Sequence, residues 1–169
     1  MKCIDYFATM ARYNHWMDDK IYALCAEFTD AERKAERGAF FKSIHGTLNH
    51  ILVGDRIWLA RLTGQAAPVT RLDQELYADF SQLRREQQQT DYEIGAWVAQ
   101  LSEQRLAEIL GFRRVSDGQE HTLPVWLAAM QLFNHQTHHR GQATTLIKQA
   151  GKDPGITDLP YTPNPYPAR

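Results

Sequence analysis

The stretch VWLAAMQLFNHQTHHRGQATTLIKQAG, residues 125–151, reads as one long helix. Proline at 124 suits a first helical turn, and Gly151 offers a C-terminal cap. Stepping about 100° per residue from His139, the positions within about 40° are Val125, Ala128, Leu132, His135, Ala143, Leu146 and Ala150. Apart from the two histidines this stripe is apolar, so it faces a core, and His135 and His139 point into that core. Histidine is neither a strong helix former nor an ordinary core residue, so the pair calls for a chemical reason. His138 lies about 100° around from His139 and does not join them. Trp126, Met130 and Phe133 form a second apolar strip, read as packing for a hairpin or a dimer contact.

Three further helices follow from the same periodicity. Residues 4–28 carry Ile4, Phe7, Ala11, Ile21, Cys25 and Phe28 on one repeat, interrupted by Asn14 and Asp18. Residues 41–62 form the second and stop at Gly64, ahead of GQAAP. Residues 76–101 form the third, with Phe80, Leu83, Ile94, Trp97 and Leu101 in its stripe and Gln87 and Thr90 at its middle steps. Between the third and the last helix, Asp117-Gly118 in ILGFRRVSDGQEHTLP predicts a small β-hairpin. Four helices of this length predict an all-α, four-helix bundle as a single domain over residues 1–169. Residues 65–75 and the hairpin insertion predict long crossover connections. Residues 152–169 carry five prolines and predict an extended tail or wrapping loop.

With 169 residues, a net charge of -1 and no lysine/arginine stripe, the chain lacks the electrostatic footprint that nucleic acid requires. No run of 18 apolar residues and no signal-type apolar segment occurs, so neither a membrane nor export is expected and the cytoplasm is the expected compartment. The two cysteines, Cys3 and Cys25, sit in an apolar helical pattern and are expected to be free thiols.

Two imidazoles in an apolar stripe are unfavourable unless their polar atoms find partners, and two protonated rings would repel. A shared metal ion resolves both difficulties but needs at least one further ligand. His50 is the candidate, with Gly46 and Gly54 four residues on either side of it, as expected where something approaches the helix backbone closely. His45 lies about 140° away around the helix and ranks lower. Asn14 and Asp18, and with less weight Gln87 and Thr90, are candidates to orient the ligands or contact substrate. His15 and His121 read as surface residues. Arg140, about 100° from His139, is expected to pair with an acidic neighbour. The plainer reading makes the histidines hydrogen-bonded core residues and Asn14 and Asp18 a register-setting polar pair.

Through YNHWMDDKI, LNHILVGDRIWLARLTG, LFNHQTHHRGQATTLIKQAG and DPGITDLPY, almost the whole chain resembles the DinB/YfiT-like proteins, four-helix bundles regarded as metalloenzymes. The last helical motif is the most specific of these. The family's metal triad of one histidine from the second helix and two spaced by four on the last maps onto His50, His135 and His139. The resemblance further implies a left-handed bundle with unusual crossover topology, a homodimer, and zinc or nickel as the divalent metal. Characterised relatives include bacillithiol-using thiol S-transferases and a mycothiol-dependent maleylpyruvate isomerase, so a low-molecular-weight thiol is an expected cofactor.

Three neutral histidines leave a divalent charge uncancelled and a coordination position open, which favours ionisation of a bound water or thiol. The expected function is a metal-dependent enzyme, thiol S-transferase-like or hydrolase-like, acting on a small-molecule substrate. Asn14 and Asp18 are its expected catalytic partners, and Asp158 is expected to close the pocket. The absence of HExxH disfavours peptide hydrolysis. The alternative from another class is a non-catalytic, metal-stapled bundle acting as a stress-related binding or sensor protein.

Overall fold

A computed structural model describes residues 3–67 and 69–163 of the protein. Its elements are α1 (Cys3–Cys25), α2 (Asp30–Lys34), α3 (Ile44–Thr63), α4 (Phe80–Ala99), α5 (Glu103–Ala107), β1 (Ile109–Arg113), β2 (Glu120–Pro124), α6 (Val125–Gln149) and a 3-10 turn (Leu159–Tyr161). The four long helices, α1, α3, α4 and α6, form the bundle. α3 packs most extensively on α6 and α1 on α4, while α1 with α6 and α3 with α4 close the ring. The chain therefore crosses a diagonal between α1 and α3, through α2, and again between α4 and α6, through the hairpin. The long connection after α3 joins neighbouring helices instead.

Local chemistry sets the helix ends. α1 stops at Cys25 rather than 28 because the next amides bond three residues back, Glu27 to Leu24 O at 3.2 Å and Phe28 to Cys25 O at 3.2 Å. Thr29 and Glu32 then form a reciprocal capping box that starts α2. Ser43 Oγ accepts the amide of Gly46 at 3.0 Å, so α3 begins at Ile44 rather than 41, and Gly64 closes it in the left-handed conformation, φ 72°. α4 starts at Phe80, later than expected. The amides of Leu76 and Tyr77 are taken by Asn49 Oδ1 at 2.9 and 3.0 Å, and Asp79 caps Gln82 N at 2.7 Å.

The hairpin pairs Ile109 with Pro124 through Arg113 with Glu120. Its turn spans four residues, closed by Gly118 N to Arg114 O at 2.9 Å, with Gly118 alone at positive φ (69°). Asp-Gly thus ends a longer turn instead of making a two-residue one. Phe112 seats the hairpin on α3 through Trp58, ring centroids 5.5 Å apart, with the Arg61 guanidinium over both rings.

The core gathers Met17, Ile21, Leu48, Leu52, Leu83, Ile94 and Leu132 between the helices. Phe133 belongs to it, stacked 6.3 Å from Phe7, so the proposed outer strip on α6 reduces to Trp126 and Met130, both exposed, with Leu127 beside them. Cys25 is a buried free thiol, pushed up to about 12 by desolvation; the side chain of Cys3 lies outside the described residues. Residues 152–163 run back along α1, where Tyr13 OH donates to Thr157 O at 2.8 Å, Lys20 donates to Ile156 O and Lys152 pairs with Glu27 at 2.7 Å. The last prolines, at 165 and 167, lie outside the described residues. No described helix is long and apolar enough to cross a membrane.

Candidate metal centre

The α3/α6 contact brings His50, His135 and His139 together. Nε2 of His50 lies 3.2 Å from Nε2 of His139 and 3.2 Å from Nε2 of His135. On the far side of the His50 ring, Nδ1 is 2.8 Å from the carbonyl of Leu72. A carbonyl only accepts, so His50 Nδ1 carries the proton and Nε2 turns its lone pair toward the other rings. His139 Nδ1 meets Gln142 Oε1 at 2.8 Å, while the Gln142 amide nitrogen faces His138 Nε2 at 3.2 Å. This orientation of the amide lets Nδ1 of His139 donate as well. His135 Nδ1 is buried without a partner.

Room for His135 is made by Gly54. A Cβ there would sit 2.1 Å from His135 Cε1 and 2.5 Å from Nδ1. Gly46 serves a different purpose from the one expected: its missing Cβ would collide with the carbonyl oxygen of Phe41, at 2.1 Å, rather than with an imidazole.

Burial pushes His50 down to about 4 and His135 to about 3, and lowers His139 too, so the rings are neutral near pH 7. Three neutral rings thus present Nε2 atoms to one point, and a single proton bridges only one pair of them. A cation satisfies all three. Tetrahedral ligands at about 2.0–2.1 Å stand about 3.3 Å from each other; the two pairs that include His50 are 3.2 Å apart and all three ligand atoms lie within 4.8 Å of one another, so the residues fit a divalent ion. Imidazole donors suit zinc, nickel, copper and iron alike.

His50 and His139 open onto a cleft of about 1140 Å³, walled by Phe40, Phe41, Leu72 and Glu75. His138 stands exposed at its rim. His45 also lines the cleft but is engaged elsewhere, its Nε2 2.9 Å from Tyr77 O and 3.3 Å from Glu75. Asp158 does not reach the cleft: it is exposed and begins the 3-10 turn of the tail, which lies along α1. His15 and His121 are exposed, as expected.

Asn14 and Asp18 are buried in a separate network in the bundle core. Asn14 Nδ2 lies 3.2 Å from Asp18 and 3.5 Å from Asp91, and Gln87 Nε2 bridges Asp55 at 2.8 Å and Asp91 at 3.1 Å. Arg140 donates to Asn14 Oδ1 and lies 3.6 Å from Asp18, the acidic pairing expected of it. None of these contacts reaches an imidazole of the triad. Desolvation raises Asp18 well above its ordinary range, and desolvation with the nearby Asp91 charge raises Asp55 to about 7. Thr90 donates back to Glu86 O and takes no part.

Sequence reasoning missed Asp55 and Asp91. Asp91 stands one turn from Gln87 on α4, as Asp18 does from Asn14 on α1, and this repeated polar pair was the available signal. It also missed Phe41 and the Leu72 carbonyl, which reach the site from loops.

The DinB family model matches residues 3–168. Among solved structures, a DinB-like protein from Bacillus cereus superposes with a TM-score of 0.63 at 22% sequence identity, covering 83% of this chain and 91% of that one. No curated protein matches the chain. The bundle, its hairpin and the sequence match from the first helix to the tail agree, and the chain belongs to the DinB family.

Proposed function

We propose that the protein is a metal-dependent enzyme, a thiol S-transferase or a hydrolase, acting on a small molecule in the cleft above His50 and His139. The observation that carries this reading is the convergence of three neutral Nε2 atoms on one point beside a cleft of about 1140 Å³. A divalent ion held there, zinc or nickel in the first instance, supplies the Lewis acidity that favours ionisation of a water or of a low-molecular-weight thiol at neutral pH.

The chain's own part is to hold the ligands and shape the space. His50 and His139 keep their protons on Nδ1, anchored by Leu72 O and Gln142, which leaves both Nε2 atoms free to bind. Phe41 lies over one face of His50 and excludes water from it. His50 is the most buried of the three, and His135 lies against the bare backbone of Gly54. Asn14 and Asp18 enter this reading as supports: through Arg140, the residue after His139, their network fixes the middle of α6 in register with α1. A homodimer is supported by the exposed apolar side chains of Trp126, Leu127 and Met130 on α6.

The test uses untagged protein reconstituted with zinc or nickel and offered low-molecular-weight thiols with small electrophiles, beside metal-free protein. Thiol transfer or hydrolysis that needs the metal and disappears in His50→Ala and His139→Ala supports the reading. A metal whose removal unfolds the chain, with four protein ligands and no exchangeable position, argues for a metal-stapled, non-catalytic bundle.

A further inference from the structure

The segment 38–43, GAFFKS, gathers three local conformational demands. Lys42 stands at φ 67°, and among the described residues no other non-glycine residue has positive φ. Gly46, inside the first turns of α3, lacks the Cβ that would meet Phe41 O at 2.1 Å. Ser43 N donates to that same carbonyl at 2.7 Å, in a tight three-residue turn, while its side chain caps α3. The first is a demand that an ordinary turn at 42 would avoid, and the second is one that an alanine at 46 could not meet. Their joint consequence is the placement of a single ring: Phe41 lies face to face with His50, centroids 3.7 Å apart and planes 16° apart, and edge-on to His139 at 5.5 Å. Its neighbour Phe40 turns outward and is 87% exposed, so apolar burial of the segment does not explain the arrangement.

His50 has one hydrogen bond on its outer side, from Nδ1 to Leu72 O, and a ring held by one bond still pivots about it. The stacked phenyl group removes that pivot. We propose that Phe41 is a positioning residue of the metal site, held in place by the left-handed turn at Lys42 and the bare backbone of Gly46, and that it aims Nε2 of His50. This rests on the metal reading above. The side chain of Lys42 takes no part; its backbone conformation does.

The test titrates untagged protein with Co2+ alone and follows visible absorption and thermal melting. Phe41→Leu is expected to weaken Co2+ binding by about tenfold or more and to change the ligand-field bands, with the metal-free melting temperature little altered. Phe41→Tyr, which keeps the stacked ring, is expected to bind as the wild type does. Gly46→Ala is expected to reproduce Phe41→Leu by pushing the Phe41 carbonyl away, whereas Lys42→Gly, at ease with positive φ, is expected to bind normally and melt higher. In metal-free protein the His50 ring protons are expected upfield, under the Phe41 ring current, and to return to ordinary positions in Phe41→Leu. Wild-type Co2+ affinity in Phe41→Leu, or His50 ring signals that ignore that substitution, would overturn the proposal alone. Failure of the wild type to bind Co2+ would overturn the metal reading and the proposal with it.

Discussion

Adding one methyl group at Gly54 separates the metal site from the fold. The new Cβ would lie 2.1 Å from His135 Cε1, and to reach the 3.4 Å of ordinary contact the ring has to retreat by about 1.3 Å. Metal bonds tolerate about 0.2 Å, so the displaced ring no longer reaches the ion. For the metal-free fold the terms nearly cancel: alanine in a helix interior gains about 1 kcal/mol over glycine, while overpacking costs about 1–3 kcal/mol. For binding they do not cancel, because one of three ligands is lost. The expected result for Gly54→Ala is a melting temperature of the metal-free protein within a few degrees of wild type and a zinc affinity at least about 100-fold lower, or about 2.7 kcal/mol. Competition against a chromophoric chelator measures the affinity and circular dichroism the melt. Undiminished zinc affinity with the fold intact would refute the placement of His135 over Gly54 and its role as a ligand.

Other substitutions probe the remaining parts. His50→Ala and His139→Ala, purified without an affinity tag, are expected to lose the stoichiometric metal that elemental analysis finds in wild type. Asn49→Ala removes the acceptor for the Leu76 and Tyr77 amides, so the 64–79 connection loosens; a stability loss of about 1–3 kcal/mol in denaturant and weaker metal binding through Leu72 O are expected. Asp55, raised to about 7 by burial and facing Asp18 on α1, Asp91 on α4 and Arg140 on α6, keeps its proton in the folded state while the unfolded chain releases it above about 4. Its penalty is therefore absent below pH 4, grows as pH rises to 7 and levels off beyond, at about 4 kcal/mol. Asp55→Asn is accordingly expected to melt higher than wild type at pH 8 and to lose that advantage at pH 4; a difference that ignores pH would count against the raised carboxyl.

What could be read from the sequence was what a single helix determines by itself. The rotation of about 100° per residue puts His135 and His139 on the Val125, Leu132 and Leu146 face of α6 whatever surrounds it, and the same rotation sets His50 apart from His45 on α3. The glycine at 54 admits the imidazole of His135, whereas the mid-helix glycines at 95 and 141 meet nothing, so it was the spacing of Gly54 from His50 and not glycine alone that marked the site. Features built between distant segments were not legible. The start of α4 depends on Asn49 capturing amides 27 and 28 residues away, and Phe133 looked like an outer residue until Phe7 packed over it. The crossover between α1 and α3 was hidden because the short α2 that carries it, over residues 30–34, was assigned no element of its own. Asn14 and Asp18 were found as polar breaks in an apolar stripe, yet the stripe does not reveal which partner faces them, and Arg140 and Asp91 supply that answer.

X-ray absorption at the metal edge of untagged, zinc-loaded protein asks the central question without reference to any substrate. The expected spectrum holds three imidazole nitrogens at about 2.0–2.1 Å and one light, exchangeable ligand from outside the chain. A shell with fewer than three imidazoles, or one closed by a fourth protein group, would contradict an open three-histidine centre.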